Sequence, residues 1–177
     1  MIVLTGDIGG TKTLLQLSEP DKNGFKVYYE QRFVSADFTQ FETMLQTFMD
    51  NAVTYGAAPD AACFGVAGPV NGRNARTTNL PWTLNADQLE TRFNIPRVRL
   101  INDFQSIGYG IEALHKNDLV TLQTGTEVKQ GNRAIIGAGT GLGHGLLVWQ
   151  QDHYEVVASE AGHTSFAPTD ELQTELL

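Results

Sequence analysis

Two glycine-rich segments have the composition of turns that bind anions. They are residues 7–13, DIGGTKT, and residues 137–143, GAGTGLG, and each stands at the end of an apolar run. Glycines let backbone N–H groups approach a phosphate closely, and Thr11 and Thr13 can add hydroxyl donors. The alternatives are a plain β-hairpin turn at the first segment and a glycine-rich bulged hairpin at the second. Neither segment matches a Walker A or Rossmann pattern, which leads into a helix.

Two carboxylates stand where a strand ends. Asp7 can hold Mg²⁺ through water, because Mg²⁺ keeps several of its waters when it binds protein. Asp103, in the segment Ile101-Asn102-Asp103-Phe104, can accept a proton from an attacking hydroxyl, and Asn102 can hydrogen-bond to a polyol. The alternative is that Asn or Asp before a helix only caps it.

The segment Glu160-Ala161-Gly162-His163 offers a further pair of polar side chains. A carboxylate accepts hydrogen bonds and a neutral imidazole both donates and accepts, which suits the neighbouring hydroxyls of a sugar. A histidine in a loop is, by itself, more often structural. A metal site is incomplete here, since His144 and His153 offer no clear third ligand.

The composition restricts the class of protein. The 177 residues are 41% hydrophobic and 18% charged, which is ordinary for a globular protein, and the net charge is −8. An acidic chain repels nucleic acid and anionic membranes, so we expect neither as a partner. Cys63 is the single cysteine, no long apolar run is present, and the N-terminus lacks a signal pattern. These features predict a cytoplasmic protein.

The hydrophobic pattern predicts an α/β protein that opens with an antiparallel meander. Gly9-Gly10 is expected to supply positive φ to the first turn, and Asn71-Gly72 marks another hairpin. The strand–glycine turn–strand pattern of residues 2–17 recurs at 134–149, which suggests two similar halves facing one cleft. Strands are predicted at 2–7, 12–17, 25–34, 61–67, 98–101, 119–122, 134–136, 146–149 and 155–158. Helices are predicted at 38–52, 86–93 with Asn85 as N-cap, 103–114, and from Thr169 or Asp170 onward.

The order of these segments resembles the bacterial glucokinases of the hexokinase–actin-like ATPase superfamily. The resemblance rests on residues 6–11, 101–104, 137–143 and 160–163, and on Thr78–Trp82, which is similar to the segment near the sugar in that family. It extends from residue 2 to at least Pro168. It implies a ribonuclease H-like, actin-like ATPase fold: a mixed five-stranded sheet with flanking helices, followed by the start of a second similar domain.

The resemblance also implies an activity and a sugar site. A glucokinase transfers the γ-phosphate of ATP to the 6-hydroxyl of glucose. Asp103 matches the catalytic base that deprotonates the 6-hydroxyl, and it is therefore also expected to bind the sugar. Asn102, Glu160 and His163 match ligands of the glucose hydroxyls, and Asn79 is expected to help from nearby. Domain closure around the substrates would exclude water, so that ATP is not simply hydrolysed.

The nucleotide site is implied in the same way. ATP and Mg²⁺ are the expected cofactors, and Asp7 is the expected Mg²⁺ ligand, through water. The expected phosphate-binding residues are Asp7, Gly9, Gly10 and Thr11 in the first loop and Gly139, Thr140 and Gly141 in the second. Lys12 departs from the residue that many relatives carry, and its role is open.

We expect two domains, a small one at 1–114 and the beginning of a large one at 115–177. The last predicted helix stops without a C-cap, and the family continues further, with another glucose-binding Glu, an adenosine pocket and a C-terminal helix. The chain is therefore expected to be an incomplete piece with little or no kinase activity alone. The resemblance implies a homodimer for the complete protein.

Three alternatives remain at this point. A kinase for another hexose or for an acylamino sugar is the first, although related kinases often carry a Cys/His zinc cluster that one cysteine does not provide. A non-catalytic sugar-binding regulator is the second; such proteins carry an N-terminal helix-turn-helix, whereas this sequence begins with the phosphate-loop strand. An actin-like assembly module is the third, and it would not need the Asn102-Asp103 or Glu160-His163 pairs.

Overall fold

The computed structural model describes residues 1–22, 24–56, 58–139 and 141–175. The chain divides into two compact units, Met1–Thr124 and Gly125–Leu177. The expected domain boundary after residue 114 stays a prediction. Within the described residues, no helix combines the length and the apolar character needed to cross a membrane.

The first unit contains the predicted mixed sheet. Its strands are β1 (Val3–Ile8), β2 (Lys12–Asp21), β3 (Gly24–Val34), β4 (Ala61–Val66), β5 (Val70–Asn71), β6 (Asn74–Arg76), β7 (Thr83–Asn85) and β8 (Val98–Asn102). The five-stranded sheet has the order β3-β2-β1-β4-β8, in which β1, β2 and β3 are antiparallel and β4 runs parallel to both β1 and β8. The predicted meander is confirmed. Strands β5, β6 and β7 form a separate small sheet.

Helix α1 (Phe41–Ala52) covers one face of the large sheet. Its apolar residues recur at helical spacing, so they form one stripe that is removed from water. Phe41, Met44, Leu45 and Phe48 are all fully buried, as the pattern predicts. The Phe41 ring meets Phe64 of β4 edge-on at 5.1 Å between centroids. Burial of each such side chain contributes on the order of 2 kcal/mol.

Helices α2 (Ala86–Phe93) and α3 (Asp103–Gly110) begin where the sequence predicts. Asn85 is confirmed as the N-cap of α2, because its side chain accepts a hydrogen bond from the Gln88 N–H at 2.9 Å. Helix α3 is shorter than predicted and passes into a 3₁₀ turn at Ile111–Ala113. Two glycines, Gly108 and Gly110, weaken its last turn, since glycine is a poor helix former.

Three parallel strands end at one edge of the sheet. Ile8 of β1 pairs with Val66 of β4, and Val66 pairs with Asn102 of β8, so the three strands finish side by side. In open α/β sheets, ligands bind outside the carboxyl ends of the strands. This edge therefore carries the first glycine turn after β1 and the start of α3 after β8.

The second unit contains a three-stranded antiparallel sheet of order β11-β10-β9. Its elements are β9 (Arg133–Ala138), β10 (Leu142–Gln150), β11 (His153–Ser159) and a short helix, α4 (Glu171–Thr174), capped by Asp170. The predicted repetition is confirmed, because β1–β2 and β9–β10 are both antiparallel pairs that close at a glycine turn. Leu176 and Leu177, predicted as helix, lie outside the described residues.

The strand predicted at residues 119–122 is wrong. No strand is assigned there, and Val120 and Leu122 are 83% and 95% exposed. A strand is stabilised by pairing with a neighbour and by burial of one face, and this short apolar run has neither.

Candidate active site

The first glycine turn is shaped by contacts rather than by unusual dihedral angles. Neither Gly9 nor Gly10 has a positive φ, so that prediction is wrong. A Cβ on Gly9 would lie 2.8 Å from the Lys12 carbonyl oxygen, which accepts a hydrogen bond from the Gly9 N–H at 3.1 Å. The turn folds too tightly on itself at Gly9 to admit a side chain.

Thr13 does not face an anion, contrary to its expected role as a donor. Its side chain is fully buried, and its hydroxyl lies 3.0 Å from the Ser35 hydroxyl. Ser35, which sequence reasoning missed, also donates to the Gly9 carbonyl at 2.8 Å. The strand pattern holds the signal for Thr13, because Thr13, Leu15 and Leu17 alternate along β2 and share its buried face. Sequence gives no comparable signal for Ser35.

Asn79 lies against the first glycine turn. A Cβ on Gly10 would be 2.8 Å from the Cβ of Asn79. The loop that carries Asn79 is anchored on both sides: Trp82 is 2% exposed and donates through Nε1 to the Phe38 carbonyl, and the Thr77 hydroxyl donates to the Leu80 carbonyl at 2.8 Å. The segment predicted to lie near a sugar and the predicted phosphate turn are thus in direct contact.

Asn102 caps α3, as the structural alternative predicts. Its Oδ1 accepts from the Phe104 N–H at 2.9 Å, and its Nδ2 donates to the Gly68 carbonyl at 3.3 Å. The Asn102 carboxamide keeps one N–H for another partner. Asp103 is the first residue of α3, and one of its oxygens accepts from the Phe104 N–H at 2.8 Å. Its other oxygen has no protein donor among the described residues.

Asp7 and Asp103 line one cavity of about 780 Å³ in the first unit. Helix α3 comes close to β4 there, because Gly65 has no side chain and a Cβ on it would collide with the Ser106 hydroxyl. The cavity wall removes part of the solvent around Asp7 and so raises the pKa of its carboxyl, and the charge of Asp103 raises this pKa further. Paired carboxylates of this kind are common at functional sites.

The second unit brings its own predicted residues together. The turn between β9 and β10 closes through a hydrogen bond from the Gly139 N–H to the Gly141 carbonyl at 2.9 Å. Leu142, the first residue of β10 after this turn, lies against the Glu160–His163 segment, because a Cβ on Gly162 would collide with the Leu142 carbonyl. Thr140 of the predicted phosphate loop lies outside the described residues.

Glu160 and His163 form an exposed pair. His163 Nε2 lies 3.5 Å from a Glu160 carboxylate oxygen, and the side chains are 76% and 88% exposed respectively. A 3₁₀ turn at Ala161–His163 holds them on one side of the chain, with the His163 N–H donating to the Glu160 carbonyl at 2.9 Å. The pair offers an acceptor and a donor at a separation that suits neighbouring hydroxyls.

The carboxylates of the first unit fit a magnesium site with few protein ligands. Within residues 1–22, 24–56, 58–139 and 141–175, no group of three or more His, Cys, Asp or Glu side chains could hold a metal. Mg²⁺ in phosphoryl-transfer sites takes one or two carboxylates and completes its shell with water and phosphate oxygens. Asp7 is solvent-accessible at the cavity and meets that requirement.

Comparison with known proteins points to one family. The sequence model of the glucokinase family matches residues 4–177. A glucokinase of Nostoc punctiforme is 45% identical over an alignment of 177 positions, which covers 99% of this chain and 51% of that protein. The crystal structure of a glucokinase from an Antarctic psychrotroph superposes with a TM-score of 0.85 at 30% identity, covering 99% of this chain and 55% of that one.

A more distant structure shows the same fold. The glucokinase of Balamuthia mandrillaris in complex with glucose gives a TM-score of 0.68 at 22% identity, over 99% of this chain and 52% of that one. The predicted actin-like ATPase fold is confirmed. The chain spans about half the length of the curated relatives it matches. By its family match and its similarity to these relatives, the chain belongs to the glucokinase family.

Proposed function

We propose that the full-length protein, the product of the complete reading frame that contains these residues, transfers the γ-phosphate of ATP to the 6-hydroxyl of glucose. One observation carries the proposal. Asp103, Asp7 and the first glycine turn meet at the carboxyl edge of the parallel strands, with both carboxylates on one cavity. Phosphoryl transfer needs a proton acceptor and a phosphate-binding turn in this proximity.

Asp103 is assigned the role of general base. Its carboxylate accepts the proton of the sugar 6-hydroxyl as the oxygen forms a bond to the γ-phosphorus, and the bond from phosphorus to the bridging oxygen breaks to release ADP. The hydrogen bond from the Phe104 N–H to one Asp103 oxygen orients the carboxylate. The other oxygen is then available for the proton.

The donor phosphates are assigned to the first glycine turn and to Gly139 and Gly141. Bare glycines permit close approach of backbone N–H groups to phosphate oxygens. Asp7 is assigned as the Mg²⁺ ligand, through water. The bound ion would neutralise charge on the phosphates during transfer. Closure that excludes water would protect ATP from hydrolysis.

The sugar hydroxyls are assigned to Asn79, Asn102, Glu160 and His163. Asn102 contributes through its remaining N–H, since its other polar atoms cap α3 and bind Gly68. Glu160 and His163 contribute as the acceptor and donor of their exposed pair. Glucose is the preferred acceptor in this proposal, and the Balamuthia glucokinase was solved in complex with glucose.

Two substitutions in the full-length protein test these roles through different kinetic constants, kcat for the proton acceptor and KM for a sugar ligand. Asp103→Ala removes the proposed proton acceptor, so we expect kcat to fall by about 10²–10⁴-fold with little change in glucose affinity. His163→Ala removes a ligand of the bound sugar, so we expect a raised KM for glucose and a smaller change for ATP. Asp50→Ala, at an exposed position on α1, is the control. Near-normal kcat in Asp103→Ala, or unchanged glucose binding by His163→Ala in titration calorimetry, would refute the respective assignment.

The proposal includes a cytoplasmic location, where ATP is supplied, and a homodimeric assembly. Both follow from the resemblance to bacterial glucokinases. Light scattering of the purified full-length protein measures the assembly directly, and a monomeric mass at micromolar concentration would exclude the dimer.

A further inference from the structure

Ser35 holds the first glycine turn from behind. It follows β3 in a 3₁₀ turn at Ser35–Asp37, and its side chain is fully buried. Its hydroxyl donates to the Gly9 carbonyl at 2.8 Å, and its backbone N–H donates to the Thr11 carbonyl at 3.0 Å. One residue therefore binds two carbonyl groups of the turn.

Thr13 extends this contact into a chain of three groups. A serine hydroxyl has one hydrogen, and that of Ser35 is committed to the Gly9 carbonyl. The Thr13 hydroxyl, 3.0 Å away, must therefore be the donor to the Ser35 oxygen. Hydrogen bonds in such a chain polarise and strengthen one another in a buried setting.

The hydrogen bond from Ser35 to the Gly9 carbonyl also fixes the direction of the Gly10 N–H. In a trans peptide the carbonyl of one residue and the N–H of the following residue point in opposite directions. Because the Gly9 carbonyl points to Ser35, the Gly10 N–H points away from Ser35. Among the described residues the Gly10 N–H has no acceptor. It is left available, with a fixed direction.

We propose that Ser35 is a positioning residue for nucleotide binding: the Thr13–Ser35–Gly9 chain of hydrogen bonds fixes the Gly9 peptide so that the Gly10 N–H donates to a phosphate oxygen of ATP. This inference rests on the proposed function, since it takes the first glycine turn as a phosphate site. Ser35 itself does not touch the nucleotide.

The test compares Ser35→Ala with wild type in the full-length protein. We expect the KM and calorimetric Kd for MgATP to rise about tenfold, which corresponds to the loss of roughly one hydrogen bond that orients the site. The glucose Kd should change less than about twofold, because Ser35 forms its hydrogen bonds with Gly9, Thr11 and Thr13 and with none of the assigned sugar ligands. Ser18→Ala is the matched control, since Ser18 is 2% exposed on β2 and lies away from the turn. A purely structural role would lower the Tm and leave MgATP affinity unchanged, and that result would overturn the proposal.

A second pair of variants keeps the proposal testable if Ser35→Ala does not fold. Thr13→Val removes the donor to Ser35 but leaves the bond to Gly9, so we expect a rise in MgATP Kd of about threefold. Thr13→Ser keeps the hydroxyl and should bind MgATP like wild type. Equal MgATP affinities of Thr13→Val and Thr13→Ser would show that the Thr13–Ser35–Gly9 chain of hydrogen bonds does not position the site.

The wild-type protein separates the two claims. If it binds MgATP but phosphorylates no hexose, the proposed function fails, and the Kd comparison still decides the role of Ser35. If it binds neither MgATP nor ADP, both claims are wrong.

Discussion

The two glycine turns have similar sequences and are held in different ways. In the first, a Cβ on Gly9 or Gly10 would press on Lys12 or Asn79, each at 2.8 Å. In the second, a Cβ on Gly139 would have 3.8 Å to its nearest neighbour, and one on Gly141 would meet no described atom within 4 Å. The first pair of glycines is thus required by the packing of the protein itself. The second is not required by any described contact, which leaves room for a ligand that approaches the backbone closely.

The largest expected effect on stability is at Gly9. Gly9→Ala forces a methyl group against the Lys12 carbonyl, which is backbone and cannot move aside without opening the turn. We expect the free energy of unfolding to fall by about 1–3 kcal/mol, measured by urea denaturation. A variant as stable as wild type would show that the first turn is not constrained by its own packing.

The matched change in the second turn is Gly141→Ala. Gly141→Ala should leave the free energy of unfolding within about 0.5 kcal/mol of wild type, since the added methyl meets no described atom. Under the proposed function it should still weaken turnover of the full-length protein, because an added methyl group would keep the phosphate assigned to Gly141 away from the turn. Destabilisation as large as that of Gly9→Ala would remove the distinction between the turns.

The smallest expected effect concerns Asp7 beside the first turn. Burial and the charge of Asp103 raise the pKa of Asp7, so ionisation of its carboxyl costs more free energy in the folded than in the unfolded protein, and at neutral pH this difference lowers stability. Asp7→Asn should therefore raise both the Tm and the free energy of unfolding at about pH 7. The gain in free energy should be less than about 1 kcal/mol, because the side chain is accessible to solvent.

The pH dependence of that gain gives its control. The gain should shrink as the pH falls through the raised pKa of Asp7. It should vanish below the ordinary aspartic acid pKa of about 3.9, where the carboxyl is neutral in both the folded and the unfolded protein. A gain of equal size across this range would indicate a packing effect instead. Under the proposed function, turnover should fall despite the added stability, because Asp7 is the proposed Mg²⁺ ligand.

Local signals predicted most of the architecture. The helical stripe of α1, the Asn85 cap and the glycine turns are each visible in a few neighbouring residues, and each is confirmed. The alternation of Thr13 with Leu15 and Leu17 also predicts that the Thr13 side chain is buried. The expectation of a phosphate donor at Thr13 did not take this alternation into account. Features that depend only on neighbouring residues can therefore be predicted from the sequence.

Contacts between distant segments could not be predicted in this way. Ser35 and Gly9 are 26 residues apart, and only the register of β2 with β3 brings them together. The failure at residues 119–122 has the same origin, because whether an apolar run becomes a strand depends on a partner that the run itself does not specify. Asn102 illustrates both cases at once: its cap is local, and its bond to Gly68 spans 34 residues.

The most direct test of the kinase assignment is a competition assay with the full-length protein. MgATP is supplied with equal amounts of glucose, mannose and fructose, and the phosphorylated sugars are identified by ³¹P NMR. Glucose 6-phosphate is expected as the main product. Clear preference for fructose or mannose, or ADP formed without any sugar phosphate, would contradict it.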